Sequence, residues 1–145
     1  TPKPSSAASD VYKRQKYEGI ILASIIEKES SSFEEKMKIG GVFLNRLKIK
    51  MKLQADPTII YGLMPDFNGD ITKKDLRDKS NLYNTYVIKS LPPTPISMPT
   101  KSSLDAAIMN SPNAYLFFVA DGEGKHIFSK TYSEHLEYVN LYQKK

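Results

Sequence analysis

A chain of 145 residues, 40% hydrophobic and 26% charged, has the size and composition of one ordinary globular domain that can bury a core. With no cysteine, disulfides and thiolate metal sites are excluded, and two histidines, His126 and His135, are too few for a His-rich site, which argues against metal chemistry. The net charge of +5 suits an anionic partner, but the lysines are scattered and not interleaved with aromatics, so a nucleic-acid surface is not expected.

Residues 1–15 are rich in Pro, Ser, Ala and charge and lack apolar periodicity, so they read as a disordered leader, a linker or a cloning or sequencing remnant. The domain proper is taken as 16–145. From Tyr17 onward, Ile20, Ile21, Ala23, Ser24, Ile25 and Ile26 recur at helical spacing, which predicts a buried helix ending near Glu29. One of Ser30 to Ser32 then caps a second helix, with Glu34 or Glu35 in its first turn as a capping box prefers. That helix buries Met37, Ile39, Val42, Phe43 and Leu47 and ends on Arg46 and Lys48, where cations suit the dipole. Gly40-Gly41 lowers its propensity by roughly 1 kcal/mol per glycine, which implies close approach of another backbone.

Between Met51 and Pro99 the chain is turn-rich, interrupted by short helices over 58–63 and 72–77, the latter with Thr72 as N-cap. Such a long irregular region in a compact domain suits a binding surface, as its tyrosines and amides also do. Ser102 or Ser103 caps a further helix that Ser111-Pro112-Asn113 stops. An aromatic run, Tyr115 to Val119, then turns through Asp121 to Gly124 into His126-Ile127-Phe128, the pattern of a hairpin. Thr131 or Ser133 opens a last helix to Tyr142. The expected fold is α+β: a helix-rich single domain with a buried helix, a loop-rich cleft and a C-terminal β-hairpin plus helix. No stretch approaches the ~18 apolar residues of a membrane span.

Three segments could carry chemistry. The first is Glu27-Lys28-Glu29-Ser30, where a carboxyl at the end of an apolar helix is partly desolvated and so raised toward the pKa a general acid needs. Glu27 and Glu29 point roughly 200° apart on a helix, so only one can face a substrate. The second is the loop carrying Gln54, Asp56 and Thr58, polar groups that either recognise sugar hydroxyls and N-acetyl groups or, for Asp56 and Thr58, cap the next helix. The third is Tyr83-Asn84-Thr85-Tyr86 with Leu91-Pro92-Pro93. Here Tyr83 and Tyr86 can stack on a sugar and Asn84 can bond its substituents, or the tyrosines simply serve the core. His126 and Glu134 are further cleft candidates; neither histidine forms a recognisable catalytic triad.

In this order, Ala23 to Ser30, Gly41 to Leu47, Met51 to Gly62, Tyr83 to Tyr86, Leu91 to Ile96, Tyr115 to Gly122 and Phe128 to His135 resemble the YceG-like (MltG) family of endolytic murein transglycosylases. The resemblance spans roughly 17–142. It implies a mixed α+β catalytic domain that in full-length members follows a transmembrane anchor and a LysM-like region, so this chain is expected to be a fragment of a protein at the extracytoplasmic face of the bacterial membrane. It also implies a lyase of cell-wall biogenesis that takes no cofactor, acts on peptidoglycan glycan strands and meets cell-wall synthesis proteins. The family's catalytic glutamate matches Glu29, with Glu27 as fallback. The implied reaction cleaves the β-1,4 bond between N-acetylmuramic acid and N-acetylglucosamine to leave 1,6-anhydromuramoyl ends. One carboxylate then suffices, unlike the pair of ordinary glycosidases, and no second acid is evident. A non-catalytic peptidoglycan-binding module is the alternative. Ser90, Thr100 and Lys125 stand where the family usually has glycine, so strained turns are expected there.

Overall fold

The computed structural model describes residues 6–109 and 113–143. Its elements run α1 (Ser6–Glu29), α2 (Phe33–Lys48), α3 (Asp56–Leu63), α4 (Lys73–Leu76), α5 (Lys101–Met109), β1 (Phe117–Ala120), β2 (His126–Ser129) and α6 (Tyr132–Tyr142). This is the expected α+β architecture, rich in helix, with an antiparallel hairpin pairing Phe117 with Ser129 and Ala120 with His126.

Helix α1 is the axis of the core. Ile21, Leu22, Ala23, Ile25 and Ile26 are all buried, and they meet Ile39 and Phe43 from α2 and Ala106 and Ala107 from α5. At about 1.5–3 kcal/mol for each large aliphatic side chain, this cluster is the main reason the helix holds its place. A polar residue inside it is satisfied: Ser24 Oγ donates to Ile21 O at 2.6 Å and accepts from Ile96 N at 3.0 Å. The loop that follows the proline-rich stretch is thereby tied to the helix that ends on Glu29.

Helix α1 begins at Ser6, not near Tyr17, so residues assigned to a leader by composition are helical. Residues 1–5 lie outside the described residues, as do 110–112, on which the expected Ser111-Pro112 helix stop falls. Ser32 is the N-cap of α2, accepting from Glu35 N at 3.1 Å, and Gly40 makes the expected close approach. A Cβ on Gly40 would lie 3.1 Å from Ile26 Cδ1 and 3.2 Å from the Ala106 carbonyl oxygen.

Several local expectations are corrected. Ala55, not Asp56 or Thr58, holds the N-cap position of α3 and makes no side-chain cap bond; Pro57 can start the helix there because its missing N–H would have had no partner. Helix α5 starts at Lys101, so Ser102 and Ser103 lie in its first turn. Thr72 and Thr131 cap α4 and α6 as expected, the first in a full capping box. None of Ser90, Thr100 and Lys125 has a left-handed backbone; Lys50 (φ 57°) and Gln54 (φ 53°) do instead.

Candidate active site

The last residue of α1, Glu29, lies between two cavities and, among the described residues, is the one that lines both. The first, about 230 Å³, is walled by Glu29, Arg46, Gln54, Asp56, Tyr86 and His135, with Leu53 and Phe118 as its apolar part. The second, about 610 Å³, lies toward the hairpin turn, with Lys28, Ser30, Gly122, Lys125 and His126 among its walls.

No hydrogen bond or ion pair engages the Glu29 carboxyl among the described residues. Burial disfavours its charged form, and the Asp56 carboxylate across the cavity adds repulsion; together they raise its pKa from 4.5 to about 7. An acid of that strength is protonated in much of the population at neutral pH and can also act as a base.

Glu27, two residues earlier, has the opposite surroundings. Its Oε1 accepts from Thr100 N at 2.9 Å, Thr100 Oγ1 at 2.7 Å and Ser103 Oγ at 2.7 Å at the start of α5, with Lys36 Nζ 3.6 Å away. The Thr100 amide first, then the Ser103 and Thr100 hydroxyls and the Lys36 charge, hold its pKa at about 2. A carboxylate so stabilised has no proton to give, and its role is to join α1 to α5.

The walls of the first cavity come from distant segments. Arg46 is buried in α2 and donates to three backbone carbonyls: Nε to Leu116 at 2.8 Å, and Nη1 to Lys52 at 3.1 Å and Leu53 at 2.9 Å. It binds β1's approach and the loop before α3 into one frame, and its guanidinium lies over Phe117 at 5.3 Å. Burial lowers its pKa, although a guanidinium stays charged. Tyr86 donates its hydroxyl proton to Asp56 Oδ1 at 2.7 Å. Burial first, then that bond to a carboxylate, push the Tyr86 pKa up, so its proton stays in place.

Of the residues singled out by sequence, Glu29, Gln54, Asp56 and Tyr86 share the first cavity, and His126 lines the second. Thr58 and Asn84 are fully buried and line neither. Thr58 Oγ1 bonds Ala55 O at 2.7 Å and Thr85 Oγ1 at 2.8 Å. Asn84 Nδ2 donates to the carbonyls of Asp75, Leu76 and Asp78 while its Oδ1 accepts from Tyr86 N at 2.9 Å, so Asn84 braces the residue that reaches the cavity. Tyr83 bonds Thr94 and leans on Tyr61, with ring centroids 4.8 Å apart. Glu134 is exposed and bonded to Thr131 in the first turn of α6. Its neighbour His135 is the residue that lines the cavity, its ring stacked on Phe117 at 5.0 Å. Burial and the Arg46 charge lower the His135 pKa, which favours a neutral imidazole.

Sequence reasoning missed Arg46, His135 and Glu35 as builders of the site. Glu35, read as a capping-box acid, sends its Oε1 to His126 N at 2.7 Å and so pins the start of β2 to α2. No signal along the chain marks that bond, since its partners are 91 residues apart.

Comparison with known proteins sets this site in a family. The chain is 40% identical over 116 residues to an endolytic murein transglycosylase of Bacillus subtilis, covering 80% of this chain and 32% of that protein. It is 31% identical over 129 residues to an endolytic murein transglycosylase of Streptococcus pneumoniae, covering 83% of this chain and 23% of the relative. The chain therefore spans about a third or less of these relatives. A crystal structure of a YceG-like protein from Listeria monocytogenes superimposes with a TM-score of 0.77 at 39% identity, covering 91% of this chain and 44% of the other. The YceG-like family profile matches residues 3–141, beginning inside the segment read as a leader, and the chain belongs to that family.

Proposed function

We propose that this domain is a peptidoglycan lytic transglycosylase in which Glu29 is the acid and then the base. The observation that carries the reading is a carboxyl with a pKa of about 7, without a hydrogen bond among the described residues, between two cavities. The names of the relatives, endolytic murein transglycosylases, support the choice of substrate.

Glu29 gives its proton to the oxygen that joins N-acetylmuramic acid C1 to N-acetylglucosamine C4. The C1–O bond breaks, its electron pair stays with that oxygen, and a free 4-hydroxyl leaves. The Glu29 carboxylate then takes the proton of the muramoyl 6-hydroxyl as that oxygen bonds to C1. A 1,6-anhydro ring forms and Glu29 is protonated again, so no water is consumed. Burial first, and then repulsion from Asp56, favour the protonated form of Glu29 before the proton is given. Tyr86 occupies one of the Asp56 oxygens.

Asp56 also gives substance to one rival. Two carboxyls on one cavity are what a hydrolase uses, with the second activating water. Mass spectrometry of glycan strands treated with the parent and with Glu29→Gln separates the readings. Anhydro ends made by the parent alone support transglycosylation, and reducing ends mean hydrolysis. Strands bound by both proteins and cut by neither mean a non-catalytic peptidoglycan-binding module. Association with cell-wall synthesis proteins and anchoring at the extracytoplasmic face of the membrane belong to the whole protein under this reading.

A further inference from the structure

We infer that the hairpin-side cavity is a second saccharide site that receives the peptide-bearing muramoyl residue, with Lys28 and Lys125 as readers of the peptide's carboxylates. The inference rests on the proposed glycan substrate and goes beyond it in assigning a side of Glu29 to the peptide.

Four observations lead there. A polymer cut at Glu29 must extend away from it in both directions, and Glu29 is the one wall that the two cavities share among the described residues. The hairpin-side cavity, at about 610 Å³, is the larger and falls within the usual range for ligand sites, whereas the other is about 230 Å³. A saccharide with a branching substituent fits the larger one.

Its wall is also built before any ligand arrives. Gly122 (φ 83°) and Gly124 (φ 86°) take a left-handed backbone, and a Cβ on either would meet open space, so they serve the turn and leave its face bare. Asp121 Oδ1 accepts from Glu123 N at 2.7 Å and Lys125 N at 3.1 Å, which closes the turn on itself. Glu35 fixes the far end by its bond to His126 N at 2.7 Å, and the His126 ring sits edge-on to Phe118 at 5.4 Å. A loop so braced loses little entropy on binding.

Charge then separates the two sides. The first cavity holds Asp56 beside Glu29, and its cation, Arg46, is committed to backbone carbonyls. The hairpin side carries Lys28 and Lys125, both exposed and neither in an ion pair among the described residues. Of the acids on this side besides Glu29, Glu27 is already bonded to Thr100 and Ser103, Asp121 spends Oδ1 on two amides of the turn, and Glu123 is exposed and does not line the cavity. A stem peptide bearing free carboxylates meets attraction on this side and repulsion on the other.

The test compares cleavage of intact, peptide-bearing glycan strands with that of the same strands stripped of peptide by an amidase. Parent, Lys125→Ala, Lys28→Ala and the double variant are assayed at two salt concentrations. The expected result is a parent that prefers peptide-bearing strands, with that preference falling roughly two- to fivefold per lysine and shrinking in high salt. Both lysines are exposed, so the variants keep the fold, which circular dichroism checks. A preference unchanged in the double variant, or a parent indifferent to peptide, overturns the inference and leaves the proposed function standing. A parent that cuts neither kind of strand brings down the proposed function and this assignment with it.

Discussion

Replacing Glu29 by glutamine will abolish cleavage and stabilise the fold in a pH window set by its raised pKa. The unfolded glutamate titrates near 4.5 and the folded one near about 7. Between these values the folded state holds a proton that the unfolded state has released, so the stability of the parent falls as pH rises. Each pH unit in the window amounts to ~1.4 kcal/mol, which makes the full penalty about 3 kcal/mol once pH exceeds 7. Glutamine has the same shape and no charge to desolvate, so it escapes the penalty. Urea unfolding of both proteins from pH 4 to pH 8.5 should give equal stabilities below pH 4.5 and a growing advantage for Glu29→Gln above it. At pH 8 the melting temperature of the variant should be higher by roughly 6–12 °C for a domain of this size. A stability difference that does not change with pH would refute the reasoning, because it would mean that the folded and unfolded carboxyls titrate alike.

Asp56→Asn removes the charge that adds to the Glu29 shift, so the alkaline limb of the pH–rate profile should move to lower pH, with activity at neutral pH reduced; an unmoved limb would leave burial as the sole cause. Arg46→Met leaves three backbone carbonyls without their donor and should lower stability by about 2–4 kcal/mol in urea unfolding. Gly40→Ala gains up to ~1 kcal/mol of helix propensity but drives a methyl against Ile26 and the Ala106 carbonyl, for a net loss of about 1 kcal/mol by the same assay.

The elements that repeat a local pattern were legible along the chain. Apolar spacing marked α1 and α2, and hydroxyl caps marked Thr72 and Thr131, because each depends on neighbours within one or two turns. The early start of α1 was hidden by Pro2 and Pro4, which coloured the composition of residues 1–15 yet precede the helix; 6–15 contain no Gly or Pro. The site was half legible. Gln54, Asp56 and Tyr86 stood out as polar groups in a loop, but Asn84 has the same chemistry and spends it on backbone carbonyls. Whether an amide faces a ligand or a neighbouring turn is decided by tertiary packing. At α6 the reading missed by one position: successive residues point about 100° apart on a helix, so His135 meets the cavity and Glu134 meets solvent. Arg46 and Glu35 act across 70 and 91 residues, beyond any local pattern.

The Glu-Lys-Glu run makes the same point within three residues. Both glutamates end one helix, and helical geometry alone says only that one of them can face a substrate; the resemblance favoured Glu29, and the surroundings give the physical reason. The helical turn sends Glu27 toward the start of α5, where an amide, two hydroxyls and a lysine stabilise its charge, and a pKa of about 2 follows. It sends Glu29 into a partly desolvated cleft with Asp56 opposite, and a pKa of about 7 follows. Two like groups driven apart in this way divide the work: one fastens α1 to α5, and the other is free to move protons under the proposed reading. The fastening matters to the chemistry, because a helix end free to fray would let water reach Glu29 and return its carboxyl to an ordinary acidity. Under the proposed reading Glu27 supports the reaction by staying ionised, and Glu27→Gln should lower the Glu29 pKa, read from the pH–rate profile, as well as the stability in urea unfolding.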